Sequence, residues 1–479
     1  MTGIKYSKTF RKNIIWENNK MKKSAFIIAA ALLILAAPAF AKAKASKKSK
    51  ASKQSAKTSS VKFFKDPKTQ KPYDFGGLTV CIYDWWSNPK AAPASKFEEE
   101  QRAFRKSLED SYNFKVIQID LGAGWNDHPA EVANYCITGG DDARIFVIDS
   151  RSALSGAANG LWADVSKVPD INWRDKKWNK AVCSVLPGQT FAVGKPEPRQ
   201  VVFFNKRVLQ ENGYNPDWPY DLQKSGKWTW EAFEAMCDKL TKDTDNDGII
   251  DQYALSGFNS EFTVMAIYSN GGALTQRDKN GNINLDFSDR TMESLNWVKD
   301  VFLKYNKPAD EGANWDYFKS DFLNGKTAFY VDQEYNAQAN GILATMKDDW
   351  GMVCFPLGPH GDKKYFSMNQ DNMFVIPACY SEEKINKIMK IYDIWTTTVP
   401  GYEDADAWKE GYYGCFRDTY AVDETMQYII DNSKSWDGWL IPNFNWQPIA
   451  WNVCGGQDPA EVIESMRNEL QAALDDINE

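Results

Sequence analysis

Histidine is nearly absent from this chain. Two occur in 479 residues, His128 and His360, and neither stands in an H-E-x-x-H zinc-protease pattern. A G-x-S-x-G nucleophile elbow and a G-x-x-x-x-G-K-[ST] phosphate loop are also missing, which argues against histidine-based hydrolysis and nucleotide chemistry. The eight cysteines (Cys81, Cys136, Cys183, Cys237, Cys354, Cys379, Cys415 and Cys454) are widely spread, and no C-x-x-C pair suggests zinc or a redox centre. Buried free thiols are the default for such cysteines. In an oxidising compartment some could pair, and spacing does not choose among the pairings. No run of apolar residues is long enough for a comfortable membrane span of about 20 residues.

Charge is distributed unevenly. Seven basic residues and one acid lie between Met1 and Ala41, and seven Lys without an acid between Lys42 and Ser60; 43 basic and 63 acidic residues remain from Val61 onward, a net of −20. That acidic body disfavours nucleic acid as a partner, because phosphate contacts need clustered cations. Lys22 and Lys23 precede the apolar run Ala25 to Ala37 and the small-x-small site Ala39-Phe40-Ala41, the order of a cleaved secretory signal over residues 21–41. Residues 1–20 then read as an upstream extension from a misassigned initiator. The Lys/Ala/Ser-rich stretch 42–62 reads as a flexible spacer. No cysteine stands at the cleavage site, so the expected product is periplasmic and carries no lipid anchor.

The body begins near Phe63. Leu78–Tyr83, Phe114–Ile119 and Ala143–Asp149 read as strands around a helix over Phe97–Tyr112, a rhythm that predicts a parallel α/β sheet. Longer helices follow: one from Thr229 to Leu240, then others over Ser288–Tyr305, Tyr317–Leu323, Glu382–Thr398 and Pro459–Ile477. Val201–Phe204, Thr327–Val331, Trp350–Phe355 and Asn372–Ile376 read as strands among them. The pattern predicts two α/β lobes between which the chain crosses more than once.

The sharpest local motif is Asp243-Thr244-Asp245-Asn246-Asp247-Gly248-Ile249-Ile250-Asp251. Alternating carboxylates, a turn glycine and the backbone carbonyl of Ile249 match the first nine positions of a calcium loop, with Asp243, Asp245, Asp247, Ile249 and Asp251 as ligands of Ca2+. Position twelve is Ala254, so the EF-hand is incomplete. Tryptophan is abundant, 19 in all. Trp85, Trp86, Trp125, Trp315, Trp436, Trp439, Trp446 and Trp451 sit in polar, turn-rich surroundings; a single tryptophan is more often core, but as a set they suit a carbohydrate cleft, since sugar rings present apolar C–H faces.

Four stretches carry a resemblance to a known family: Ala143–Ser152 with Gly160–Val165, Phe191–Gly194 with Phe203–Lys206, Lys227–Phe233, and Phe322–Phe329 with Trp350–Pro359. In this order they resemble the family 1 extracellular solute-binding proteins of ABC transporters, the group that includes maltose-binding protein. The resemblance runs from about Gly77 to the end of the sequence. It implies two Rossmann-like lobes joined by hinges, the class II periplasmic-binding-protein architecture, with lobe 1 over 63–198 and about 369–415 and lobe 2 over 199–368 and about 416–479. It also implies a carbohydrate ligand held by hinge closure, transmembrane permease subunits of an ABC importer as partners, a monomer, and no enzymatic activity. Matched to the family's motifs, the ligand-binding candidates are Asp84, Trp85, Ser150, Arg151, Glu197, Arg199, Glu261, Phe262, Glu334, Tyr335, Asn369, Asp371, Arg417, Trp446 and Trp451. The calcium-like loop resembles a structural site in some oligosaccharide-binding members, with Gln252 where some of them place a second acid. A secreted glycoside hydrolase or lyase using paired carboxylates and a lectin without transport are the competing readings.

Overall fold

The structure, a computed structural model, describes residues 64–123, 127–175, 177–178, 188–194, 197–370, 372–439 and 441–478. The expected signal and spacer, Trp125, Cys183 and Asp371 lie outside them, and the side chain of Arg151 is likewise outside the description.

The first lobe is built on strands β1 (Leu78–Asp84), β2 (Phe114–Asp120) and β3 (Ala143–Asp149), which pair in parallel in the order β3-β1-β2. The helix Lys96–Tyr112 makes the crossover from β1 to β2. It starts where the Ser95 hydroxyl accepts the Glu98 N–H and ends on Asn113 in a left-handed conformation. Burial along β3 is nearly continuous, as expected of an inner strand covered on both faces.

The second lobe centres on a sheet in the order β5-β8-β4-β9, with β4 at Gln200–Asn205, β5 at Tyr253–Gly257, β8 at Thr327–Gln333 and β9 at Trp350–Val353. Its strands are mixed: β5 and β8 run parallel, while β4 is antiparallel to β8 and β9. The reason lies in the connection, since β4 enters directly from the first lobe and runs away from the hinge while β5 and β8 run toward it. A small hairpin, β6 (Thr275–Arg277) with β7 (Ile283–Leu285), sits beside the C-terminal helix Pro459–Asn478.

The chain then returns to the first lobe. β10 (Asn372–Val375) pairs antiparallel with β3, and the helix Glu382–Trp395 buries Ile388, Ile391 and Ile394 in the first-lobe core. Beyond it Phe416, Ile429, Trp436 and Ile449 belong to the second-lobe core. Three segments therefore link the lobes. Two of them are paired: Val193 bridges Phe374 and Pro198 bridges Asn369. Among the described residues seven cysteines are free thiols, and no helix is long and apolar enough to cross a membrane.

Candidate functional site

In open α/β sheets a ligand site lies outside the carboxyl ends of the strands. In the first lobe those ends are Asp84, Asp120 and Asp149. Asp84 is fully buried and all its acceptor capacity is directed inward: Oδ1 accepts the N–H of Trp86 (3.0 Å) and Ser87 (2.8 Å), and Oδ2 accepts the Ser87 hydroxyl (2.5 Å) and the Gln118 amide (2.8 Å). Asp84 is thus a brace under a turn, which corrects its expected role as a ligand contact. What the turn presents is an edge-to-face pair, Trp85 and Trp86, with centroids 5.0 Å apart. Behind Trp85 stands His128, ring to ring at 5.2 Å, fully buried and with Nε2 2.7 Å from the Val147 carbonyl oxygen. Burial holds the His128 pKa below its ordinary value, so it is neutral at pH 7.

Asp149 caps the helix Ser150–Ala158 by accepting the Ser152 N–H (3.1 Å). Beside it opens a cavity of about 470 Å³ between the lobes. Asp149, Ser152, Ser155 and Trp162 form one wall; Trp439, Asn443, Asn445 and Trp446 form the other. The cavity has the size of a small-molecule site and a few polar groups on largely apolar walls. Ser150 is buried at the same strand end.

The second lobe presents aromatics at its own strand ends. Phe258 follows β5, and beside its ring (6.2 Å) stands Trp315, 72% exposed. Tyr335, just after β8, is 41% exposed, and Trp451, on the helix Gln447–Cys454, is 50% exposed. The tryptophan set therefore splits. Trp86, Trp315 and Trp451 are exposed, whereas Trp436, Trp439 and Trp446 are buried and pack edge-to-face at 5.3–5.4 Å. Trp446 reaches the cavity only as part of that wall.

Other candidates change role. Phe262 is fully buried among Phe233, Trp297, Phe302 and Phe355, with centroids 5.2–6.3 Å away. It is a core residue, not a ligand contact, because the helix Asn259–Ser269 is covered on every side. Arg417 donates to the Met346 carbonyl (2.7 Å) and braces a second-lobe loop. Asn369, nearly buried, donates to Ser435 (3.3 Å). Glu197, Arg199, Glu261 and Glu334 come together at the paired crossing segments, joined by three glutamines that sequence reasoning missed: Gln200, Gln333 and Gln370 each donate to Glu261. A lone glutamine carries no spacing signal, so only the fold could bring them together.

The acidic loop is pinned at its base by the Lys242 to Gln252 bridge. One carboxylate oxygen each from Asp243, Asp245 and Asp247 lies within 4.8 Å of the others. Asn246 and Gly248 take positive φ, and their N–H groups turn into Asp243 (2.6 and 2.8 Å). Asp251 stands apart from this trio and accepts the N–H and hydroxyl of Thr244 (both 2.7 Å), bonds that lower its pKa. Three converging hard oxygens suit a calcium ion. The Ile249 side chain is exposed, and its N–H donates to Asp247 (2.8 Å). The loop precedes β5, at the opposite end of that strand from Phe258.

Two α/β lobes on a paired hinge, with a cavity between them and exposed aromatics at the strand ends, define a protein that takes up a solute between lobes. The sequence profile of the bacterial extracellular solute-binding proteins matches residues 129–384, more than half of the chain, and the chain belongs to that family. Similar folds include an ABC substrate-binding protein from Listeria monocytogenes in complex with cycloalternan (17% identity, 84% of this chain and 97% of that one, TM-score 0.56). UgpB from Mycobacterium tuberculosis in complex with glycerophosphocholine is another (16%, 84% and 99%, 0.60). A third is the cyclic alpha-maltosyl-1,6-maltose binding protein from Arthrobacter globiformis (14%, 83% and 99%, 0.59). Among curated proteins none matches the chain significantly.

Proposed function

We propose that this chain is the periplasmic substrate-binding component of an ABC importer, that it closes on a sugar or oligosaccharide without transforming it, and that it presents the closed form as a monomer to the permease. The observation that carries this reading is the exposure of Trp86 after β1, of Trp315 beside Phe258 at the end of β5, and of Trp451 on the helix Gln447–Cys454. Indole faces are apolar and flat, and they match the C–H faces of pyranose rings, while Asp149, Ser152, Asn443 and Asn445 offer hydrogen-bond partners for hydroxyls in the cavity between the lobes.

A thermal-shift panel tests it, because a ligand that binds only the folded state raises the melting temperature. Cyclic and linear gluco-oligosaccharides should raise it, with glycerophosphocholine as the control of different chemistry. A response to glycerophosphocholine alone would overturn the carbohydrate assignment. With a sugar in hand, Trp451→Ala is expected to weaken binding by about 1–3 kcal/mol, roughly five- to 150-fold, with little change in melting temperature. Unchanged affinity by calorimetry would remove Trp451 from the site. Release of shortened products from the same sugars would favour the hydrolase reading.

The acidic loop is proposed to hold a structural calcium ion away from the cleft. Calcium at a hundredfold excess over its dissociation constant should stabilise the protein by about 2.7 kcal/mol. Asp243→Ala or Asp245→Ala should abolish that gain while leaving sugar affinity alone. Equal melting temperatures with calcium and with excess chelator would remove the ion.

A further inference from the structure

A cluster of buried carboxyls lies where the lobe-crossing segments meet, and two of its carboxylates pair with one guanidinium there. Arg199, on the first crossing, donates from Nη2 to Glu197 (2.6 Å), from Nη1 to Glu334 (3.3 Å) and from Nε to the Gln370 carbonyl (3.4 Å) on the second crossing. Glu197 also accepts the backbone N–H (3.0 Å) and side-chain amide (2.8 Å) of Asn372. Glu261, on the helix Asn259–Ser269, accepts amides from Gln200 (2.7 Å), Gln333 (2.8 Å) and Gln370 (3.0 Å). Asp332 accepts the Tyr330 hydroxyl and the Gln333 N–H. Glu261, Asp332 and Glu334 are all buried.

Other charged or titratable groups act on the cluster from the surrounding elements. Lys319, from the helix Tyr317–Leu323, acts on Asp332, and Asp316 acts on Tyr330. The Tyr335 hydroxyl, after β8, and the Tyr412 hydroxyl, on the third crossing, act beside Arg199 and Glu334. None of these balances four ionised carboxylates against one arginine in a dry site. Burial pushes the carboxyls of Asp332 and Glu334 up to about 7, and it pushes Glu261 upward despite its three amide donors.

We propose that the cluster is a proton-linked latch: protons held among Glu261, Asp332 and Glu334 keep the crossing segments in the arrangement described here, and their release favours one in which water reaches the hinge. The argument is linkage. A carboxyl that becomes hydrated returns toward its ordinary range near 4, so the dry arrangement binds more protons and loses favour as pH rises from about 4 to about 7, levelling off above. This does not depend on which ligand the cleft takes.

Hydrogen exchange on the unliganded protein, with the hydrogen ion as the probe, tests it. The reporters are the amides of Arg199, Gln200, Asn369 and Phe374, each hydrogen-bonded at the crossings. After correction for intrinsic exchange, their protection should fall about tenfold between pH 6 and pH 8, the change that linkage gives for one carboxyl at about 7 in the dry arrangement and near 4 in the hydrated one, while amides of β1 stay constant. Glu334→Gln with Asp332→Asn, already uncharged, should flatten the profile. If that variant does not fold, the unmodified protein still decides. Constant protection at the crossings from pH 5.5 to 8.5, or an equal fall in β1, would overturn the latch and leave the cluster as static packing.

Discussion

Replacing Arg199 by methionine is expected to lower the free energy of unfolding by about 3–5 kcal/mol at pH 7. Breaking a buried ion pair by removing one partner leaves an uncompensated charge, a larger penalty than the net worth of the pair itself. Here the loss is compounded, since Glu197 and Glu334 lose the same partner and Glu334 keeps only the Tyr335 N–H (2.8 Å) and the Gln338 amide (3.4 Å). Arg199→Lys should recover only part of the stability, because an ammonium lacks the planar fork that reaches two carboxylates and a carbonyl at once. The deficit should shrink toward pH 5, where Glu334 takes up a proton and no longer needs a cation. Urea unfolding at the two pH values measures this. A loss under about 1 kcal/mol at pH 7 would mean that the pair is wetter than its burial implies.

The second large effect belongs to Phe262. Truncation to alanine is expected to cost about 3–5 kcal/mol by opening a cavity among Phe233, Trp297, Phe302 and Phe355. Affinity of the remaining folded protein for ligand should be unchanged. Phe262→Ala and Trp451→Ala therefore form opposed controls. One should move the melting temperature and not the dissociation constant, the other the reverse. A loss of affinity in Phe262→Ala without a loss of stability would return this residue to the ligand site.

The difference between these two aromatics shows what the sequence could convey. Alternating and continuous apolar runs marked β1, β3, β4 and β8, and the Thr229 hydroxyl, which accepts the Ala232 N–H, marked the start of its helix. The helix Asn259–Ser269 was invisible to periodicity, because nine of its eleven residues are buried and no face stays polar. Phe262 is thus a ligand candidate by family resemblance alone, and only the fold reveals that the helix has no outer face. Asp84 misled in the opposite way: an acid after a first strand suits a sugar hydroxyl, but its bonds to Ser87 and Gln118 depend on a turn and a second strand. Trp86, Trp315 and Trp451 were legible as polar-context tryptophans, though indistinguishable from Trp436 and Trp446 until burial separated them. In the Asp243 loop the convergence of Asp243, Asp245 and Asp247 is local geometry, whereas the turning of Asp251 to Thr244 has no spacing signal.

The pairing of β10 with β3 bears on how the protein is made. Asn372 lies opposite Asp149, 223 positions later in the chain, so the first lobe cannot complete its sheet until most of the second has been synthesised. Until then the edge of β3 is a row of open amides and carbonyls on a hydrophobic strand, a template for mispairing with another chain. Contacts of such separation form late and slowly. The lobe written first is thus the lobe finished last, and its early edge is where a nascent molecule is most exposed to aggregation.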